Sequence, residues 1–274
     1  MLAAMSSNEA HDPSSLHAPS TAAEVAGPAV HTRRRAALEL LALATTGAAF
    51  AANAAAQLPR RVFIAGALGV WATYAYRLWV RDPAARRRWG FAPTRADEAA
   101  TWRQAAAVSA AACAAILAAP GNAAALRAAC ADADFWRLLA VYPLWGITQE
   151  WLVLGIGARA VETLLSPLVA KAPSPERMGG LTASPERMGG LMASPQRRAR
   201  EWTAAIVGVL FGLLHVAALD SAAWTLAPAC LLMGVTWTHF FLAHACVSPL
   251  GFFHGILGTL FYFVVLRVNP LRDL

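Results

Sequence analysis

Residues 142–159 read YPLWGITQEWLVLGIGAR, an apolar run with a single carboxylate, Glu150, near its middle. Gln149 stands beside that acid, and Arg159 follows more than two helical turns later. Placing an ionisable group in a bilayer costs about 2.5–3.5 kcal/mol on insertion scales, so such groups are rare and usually functional. Two other apolar runs carry one histidine each at comparable depth: FGLLH, ending at His215, and GFFHGILGT, containing His254. If the three helices pack together, a glutamate and two imidazoles meet in a medium of low dielectric. That set is sufficient to activate a water molecule.

The rest of the chain agrees with a membrane setting. Of 274 residues, 58% are hydrophobic and only 14% charged, and mean hydropathy is +0.46. Soluble domains are nearer half apolar and one quarter charged. The formal charge of +7 does not point to nucleic acid, because the arginines flank apolar runs, as topology signals do. Cys113, Cys130, Cys230 and Cys246 show no CxxC spacing; three of them lie in or at the edge of apolar runs, so they read as small buried hydrophobes.

The fold class is therefore all-α, a polytopic transmembrane bundle of about seven to eight helices. Seven stretches are long enough for roughly 30 Å of hydrocarbon: 36–58, 62–80, 104–119, 135–165, 202–219, 222–245 and 249–266. The fourth exceeds the required length, and Pro143 predicts a tilt or break within it. Residues 1–35, rich in Ser, Ala, Pro and His, form a disordered tail without the apolar stretch of a secretory signal. Residues 36–120 hold the N-terminal membrane helices, which carry no candidate chemistry. Residues 134–266 form the core, interrupted by a loop at 171–200. In that loop SPERMGGL occurs at 174–181 and again at 184–191, and a third unit begins at Ser194; a flexible duplicated linker fits this composition. Arginine clusters at 33–35, 81–95 and 159–200 share one side when the N-terminus is cytoplasmic, whereas Arg60 and Arg61 fall opposite. The expected location is thus the inner membrane.

Within the core, a spacing of four puts Phe211 and His215 on one helix face. Small residues around His254 allow close helix approach. His239 and His244 lie five apart, on different faces, and read as interfacial or backbone-paired. Counting from helix ends puts Glu150 and His215 in opposite halves of the membrane unless the helices are offset.

In order and type these motifs resemble the CPBP family of intramembrane proteases, which includes CAAX prenyl endoproteases and bacteriocin-processing or immunity-associated relatives. Phe211 to His215 matches its PhexxxHis motif, and Gly234, Trp237 and His254 resemble its last block. The resemblance covers about residues 142–265. It implies an intramembrane endopeptidase in which Glu150 activates water and His215 and His254 position the water, the oxyanion or a metal. Glu150, His215 and His254 with one open position would also suit a catalytic Zn²⁺. Gln149, Phe211 and Arg159 are the supporting residues. The implied partners are membrane lipids and a peptide or lipidated protein substrate.

The chain departs from the family pattern at three places. Gln149 stands where the first glutamate of the GluGluxxxArg motif belongs, Leu154 replaces its arginine, and Gly258 replaces the final asparagine. A glutamine is no general base and a glycine offers no side-chain donor to an oxyanion. The alternative expectation is therefore a catalytically lapsed relative serving as a membrane binding or immunity-associated protein. A proton-conducting transporter is a further reading, although no inverted repeat is evident.

Overall fold

A computed structural model describes residues 22–55, 60–171, 195–218 and 227–273, and every regular element among them is helical. In chain order these are α1 (Ala22–Ala55), α2 (Arg60–Arg81), α3 (Pro83–Arg88), α4 (Arg95–Ala118), α5 (Asn122–Cys130), α6 (Ala133–Glu150), α7 (Arg159–Lys171), α8 (Pro195–Ala218), α9 (Ala227–His244), α10 (Ser248–Leu260) and α11 (Pro270–Asp273). The repeat at 174–191 and the tail residues 1–21, with His11 and His17, lie outside the described residues. Residues 22–35, expected in the tail, belong to α1.

Local chemistry sets the helix starts. Asp82 caps α3, accepting from the Ala84 N–H at 3.0 Å, with Pro83 at the first helical position. Thr94 caps α4 through the Asp97 N–H at 3.1 Å. Asp132 caps α6 through the Asp134 N–H at 2.9 Å. Gly121, at φ +81°, supplies the left-handed residue between α4 and α5, whose axes bend by 107°.

The expected seven to eight spans are not all found. Among the described residues two helices are long and apolar enough to cross a membrane: Ala133–Ala170, 38 residues, and Ser248–Leu266, 19 residues. The bent pair α4–α5 makes a third if it is one span. In two of the other helices polar side chains account for the shortfall. Arg77, Tyr74 and Tyr76 interrupt α2, and Thr236, Thr238, His239 and His244 interrupt α9. α8 opens on Arg197, Arg198, Arg200 and Glu201, and its apolar end runs toward residues outside those described.

The long helix also does not break at Pro143. α6 is continuous through that proline, and the winding changes later, where Trp151–Ala158 form a π-helical segment directly after Glu150. Wider π turns recur at functional positions in helices. A second π-helical segment, Phe261–Leu266, follows α10.

Two glycine seams hold the core. Apolar burial alone gives helices little reason to associate in lipid, so close backbone approach carries the packing. On the first seam α6 meets α10: a Cβ on Gly146 would strike the Gly251 carbonyl, one on Gly251 the Ile147 backbone, and one on Gly255 the Pro143 backbone. On the second seam α8 meets α9, where a Cβ on Gly208 would strike Val235 and one on Gly234 would lie 2.8 Å from the Phe211 Cβ. Trp89, Trp151, Trp237, Phe241 and Leu250 fill the space between the seams. The cysteines match the expectation in part: Cys246 is buried, Cys113 and Cys230 are half-buried, and Cys130 is exposed.

Candidate functional site

The first seam brings Glu150 to His254. Glu150 lies one turn beyond Gly146 on α6, and His254 adjoins Gly255 on α10, so the same contact that fixes the helices fixes the pair. Glu150 Oε1 and His254 Nδ1 are 2.6 Å apart. Glu150 is fully buried and His254 is 8% exposed, which leaves the acid no solvent of its own. Its second oxygen, Oε2, is buried with no partner. An orphaned carboxylate oxygen at such a depth is costly and marks a place where another group can bind.

The second seam adds Phe211 and His215. The Phe211 ring is 4.3 Å from the His215 ring and 5.4 Å from that of His254, centroid to centroid. The two imidazoles are 5.8 Å apart. His254 therefore sits between Glu150 and His215, and the expected difference in depth is bridged by the middle residue. The two imidazoles meet around Phe211, and Glu150 joins them through His254.

The hydrogen bonds constrain the protons. A backbone carbonyl only accepts, so His215 Nδ1, 2.8 Å from the Phe211 oxygen, carries its hydrogen. An ionised Glu150 likewise only accepts, so His254 Nδ1 donates to it. Both rings are left with Nε2 as the working nitrogen.

The zinc expectation does not fit this arrangement. Two Nε2 atoms are suitable donors, but Glu150 is turned onto His254 Nδ1, the nitrogen that faces away from a metal held at Nε2. Among the described residues no group of three or more His, Cys, Asp or Glu side chains is placed to hold a metal ion.

The supporting residues separate. Gln149 Oε1 is buried without a partner. Arg159 is engaged elsewhere: it pairs with Glu162 at 2.9 Å and lies over the Phe241 ring at 5.0 Å. Arg200 also reaches Glu162, at 3.2 Å, tying α7 to α8. His244 pairs with Asp97 at 3.2 Å, whereas His239 is exposed.

Two features were not anticipated. The ring of Tyr142 covers Gly258, with Cδ1 3.2 Å from where a Cβ would stand. In the N-terminal helices, buried Glu39 receives Arg35 at 3.1 Å, Arg88 at 2.7 Å and the Tyr74 hydroxyl, while Arg35 also reaches Asp82 at 3.3 Å. An acid inside the alanine- and leucine-rich α1 carries the same signal as Glu150. Its position near the start of the run, beside the arginines at 33–35, concealed it. Compared with family models, with curated proteins and with solved structures, the chain matches none.

Proposed function

We propose that the chain is a divergent intramembrane endopeptidase of the CPBP type, in which the Glu150–His254 pair activates water. The observation that carries this reading is the buried 2.6 Å contact with Glu150 Oε2 left open beside it. Water held at Oε2 loses a proton to Glu150 as its oxygen attacks the carbonyl carbon of the scissile peptide bond. The same proton then passes to the leaving amine as the C–N bond breaks, and Glu150 is regenerated. His254 holds the carboxylate in one rotamer through Nδ1. On this reading the His215 and His254 rings, 5.8 Å apart, supply a donor to the oxyanion through Nε2 of a protonated ring.

The substrate on this reading is a peptide or lipidated protein reaching the site from the membrane. The arginine clusters favour an inner-membrane protein with a cytoplasmic N-terminus. A second reading, a lapsed relative that binds a partner without cutting it, is favoured by one observation. Tyr142 fills the space off Gly258 from which the family's amide would act.

The deciding experiment is cleavage of a farnesylated CAAX-type peptide, then of a panel of membrane-protein substrates, by purified protein in detergent. Glu150→Gln and His215→Ala are run alongside. Cleavage by the wild type that both variants lose supports the protease; retained cleavage in Glu150→Gln overturns it. Binding of a substrate that is never cut supports the lapsed relative.

A further inference from the structure

At the far end of α10 the chain forms a second, unrelated cavity. The span Ser248–Leu266 ends there, and Ala133–Ala170 begins there, since Asn269 donates to Asp134 at 2.9 Å and ties the two ends together. Against this junction α5 lays its small side chains. A cleft of about 270 Å³ lies between Ala125, Ala128 and Ala129 on one wall and Phe263, Val268 and Arg267 on the other. Asp132 and Asn269 complete it, and both are engaged, Asp132 with Arg272 at 3.5 Å and Asn269 with Asp134.

Arg267 is the unusual member. It sits at φ +56°, a left-handed conformation that costs a non-glycine residue free energy. The position closes the π-helical turn, with the Val268 N–H on the Tyr262 carbonyl at 3.0 Å, where glycine is the ordinary choice. An arginine is kept there instead, is exposed, and makes no ion pair among the described residues. Its guanidinium lies over the bend between α4 and α5, with Nη2 3.2 Å from where a Cβ on Gly121 would stand. Trp136, 53% exposed on the first turn of α6, adds an amphipathic aromatic ring at the same end.

We infer that this cleft binds the phosphate headgroup of an anionic phospholipid, Arg267 taking the phosphate and the alanine and phenylalanine walls taking the first part of an acyl chain. The apolar walls, the unpaired cation and the position at the end of two membrane-length helices all belong to an amphiphile. The inference rests on the membrane reading of the chain but not on the Glu150 site, so cleavage can fail while this stands.

The test uses the full chain in detergent, mixed with phosphatidylglycerol, phosphatidylcholine or inorganic phosphate, with bound lipid read by native mass spectrometry. The expected result is a preference of about fivefold for phosphatidylglycerol over phosphatidylcholine, the factor for one arginine beside an anionic headgroup. Arg267→Gly and Ala128→Phe should both abolish the preference. Arg267→Gly also relieves the left-handed backbone, so its melting temperature in lipid-free detergent should be unchanged or higher. That outcome separates lost binding from lost folding. Preference retained in Arg267→Gly overturns the proposal. Phosphate that displaces the lipid and binds as tightly by itself overturns the lipid and leaves a free-phosphate site.

Discussion

Glu150 and His254 stand 104 residues apart in the chain and 2.6 Å apart in the fold, with neither side chain meaningfully open to solvent. A buried acid held by an imidazole makes opposite demands on two kinds of substitution. Glu150→Gln keeps an oxygen for the His254 N–H but removes the base of the proposed reaction. Cleavage should fall by about 10²–10⁴-fold, the usual worth of a general base, with little change in melting temperature. His254→Ala instead leaves the carboxylate without a partner and should destabilise by about 3–5 kcal/mol. Activity assays and thermal unfolding of the same two preparations check both expectations.

The glycine seam between α6 and α10 makes a prediction that needs no activity. Gly255→Leu drives a side chain into the Pro143 backbone, where nothing can rotate away. Overpacking costs about 1–3 kcal/mol even where neighbours yield, so this variant should unfold at lower temperature and expose the buried Cys246 thiol to labelling. Gly66→Leu, which meets nothing nearby, is the control and should behave as wild type.

These contacts also show what could be read without the fold. The span at 248–266 is continuous, apolar and opened by Pro249, so its ends are legible almost to the residue. Glu150, His215 and His254 are legible because ionisable groups stand out in apolar runs. Their meeting is not, because it depends on which glycines interlock, and several registers of Gly146, Gly251 and Gly255 suit the same sequence. The π-helical segment at 151–158 leaves no compositional trace, since WLVLGIGA suits either winding. Among the described residues fewer stretches than expected are long and apolar enough to span, because arginines, tyrosines and threonines lie inside runs such as α2 and α9.

The Glu39 cluster ties α1 to α2 and α3. Glu39→Ala removes the acceptor shared by Arg35, Arg88 and Tyr74. Because both arginines retain partial access to solvent, the loss should be about 1–3 kcal/mol, below that of a fully enclosed pair. Proteolysis between α1 and α2 should quicken, whereas any cleavage that depends on Glu150 should be unchanged.

Asp82 gives the fold an acid-side dependence. Partial burial works to raise its pKa, but the Arg35 guanidinium and the backbone N–H groups of Ala84 and Ala85 outweigh that and hold it below the ordinary carboxylate value. A depressed folded pKa means that the stabilisation is complete above the unfolded value, about 3.9. It is then lost as pH falls through the folded value. Asp82→Asn keeps the helix cap but not the charge. Its stability at neutral pH should drop slightly, and its acid unfolding below about pH 4 should be flatter than that of the wild type.

Tyr142 offers the sharpest separation between an active and a lapsed site. Gly258→Asn adds a side-chain amide but forces it into the Tyr142 ring, so the single variant should lose about 1–3 kcal/mol of stability. Removing the ring makes room, and Gly258→Asn with Tyr142→Ala should recover most of that loss through a coupling between touching residues. If Glu150 and His254 already activate water, an added amide donor near the oxyanion should raise kcat in the double variant above that of Tyr142→Ala alone. If the double variant folds, binds substrate and still cuts nothing, the pair at 150 and 254 is a structural clamp.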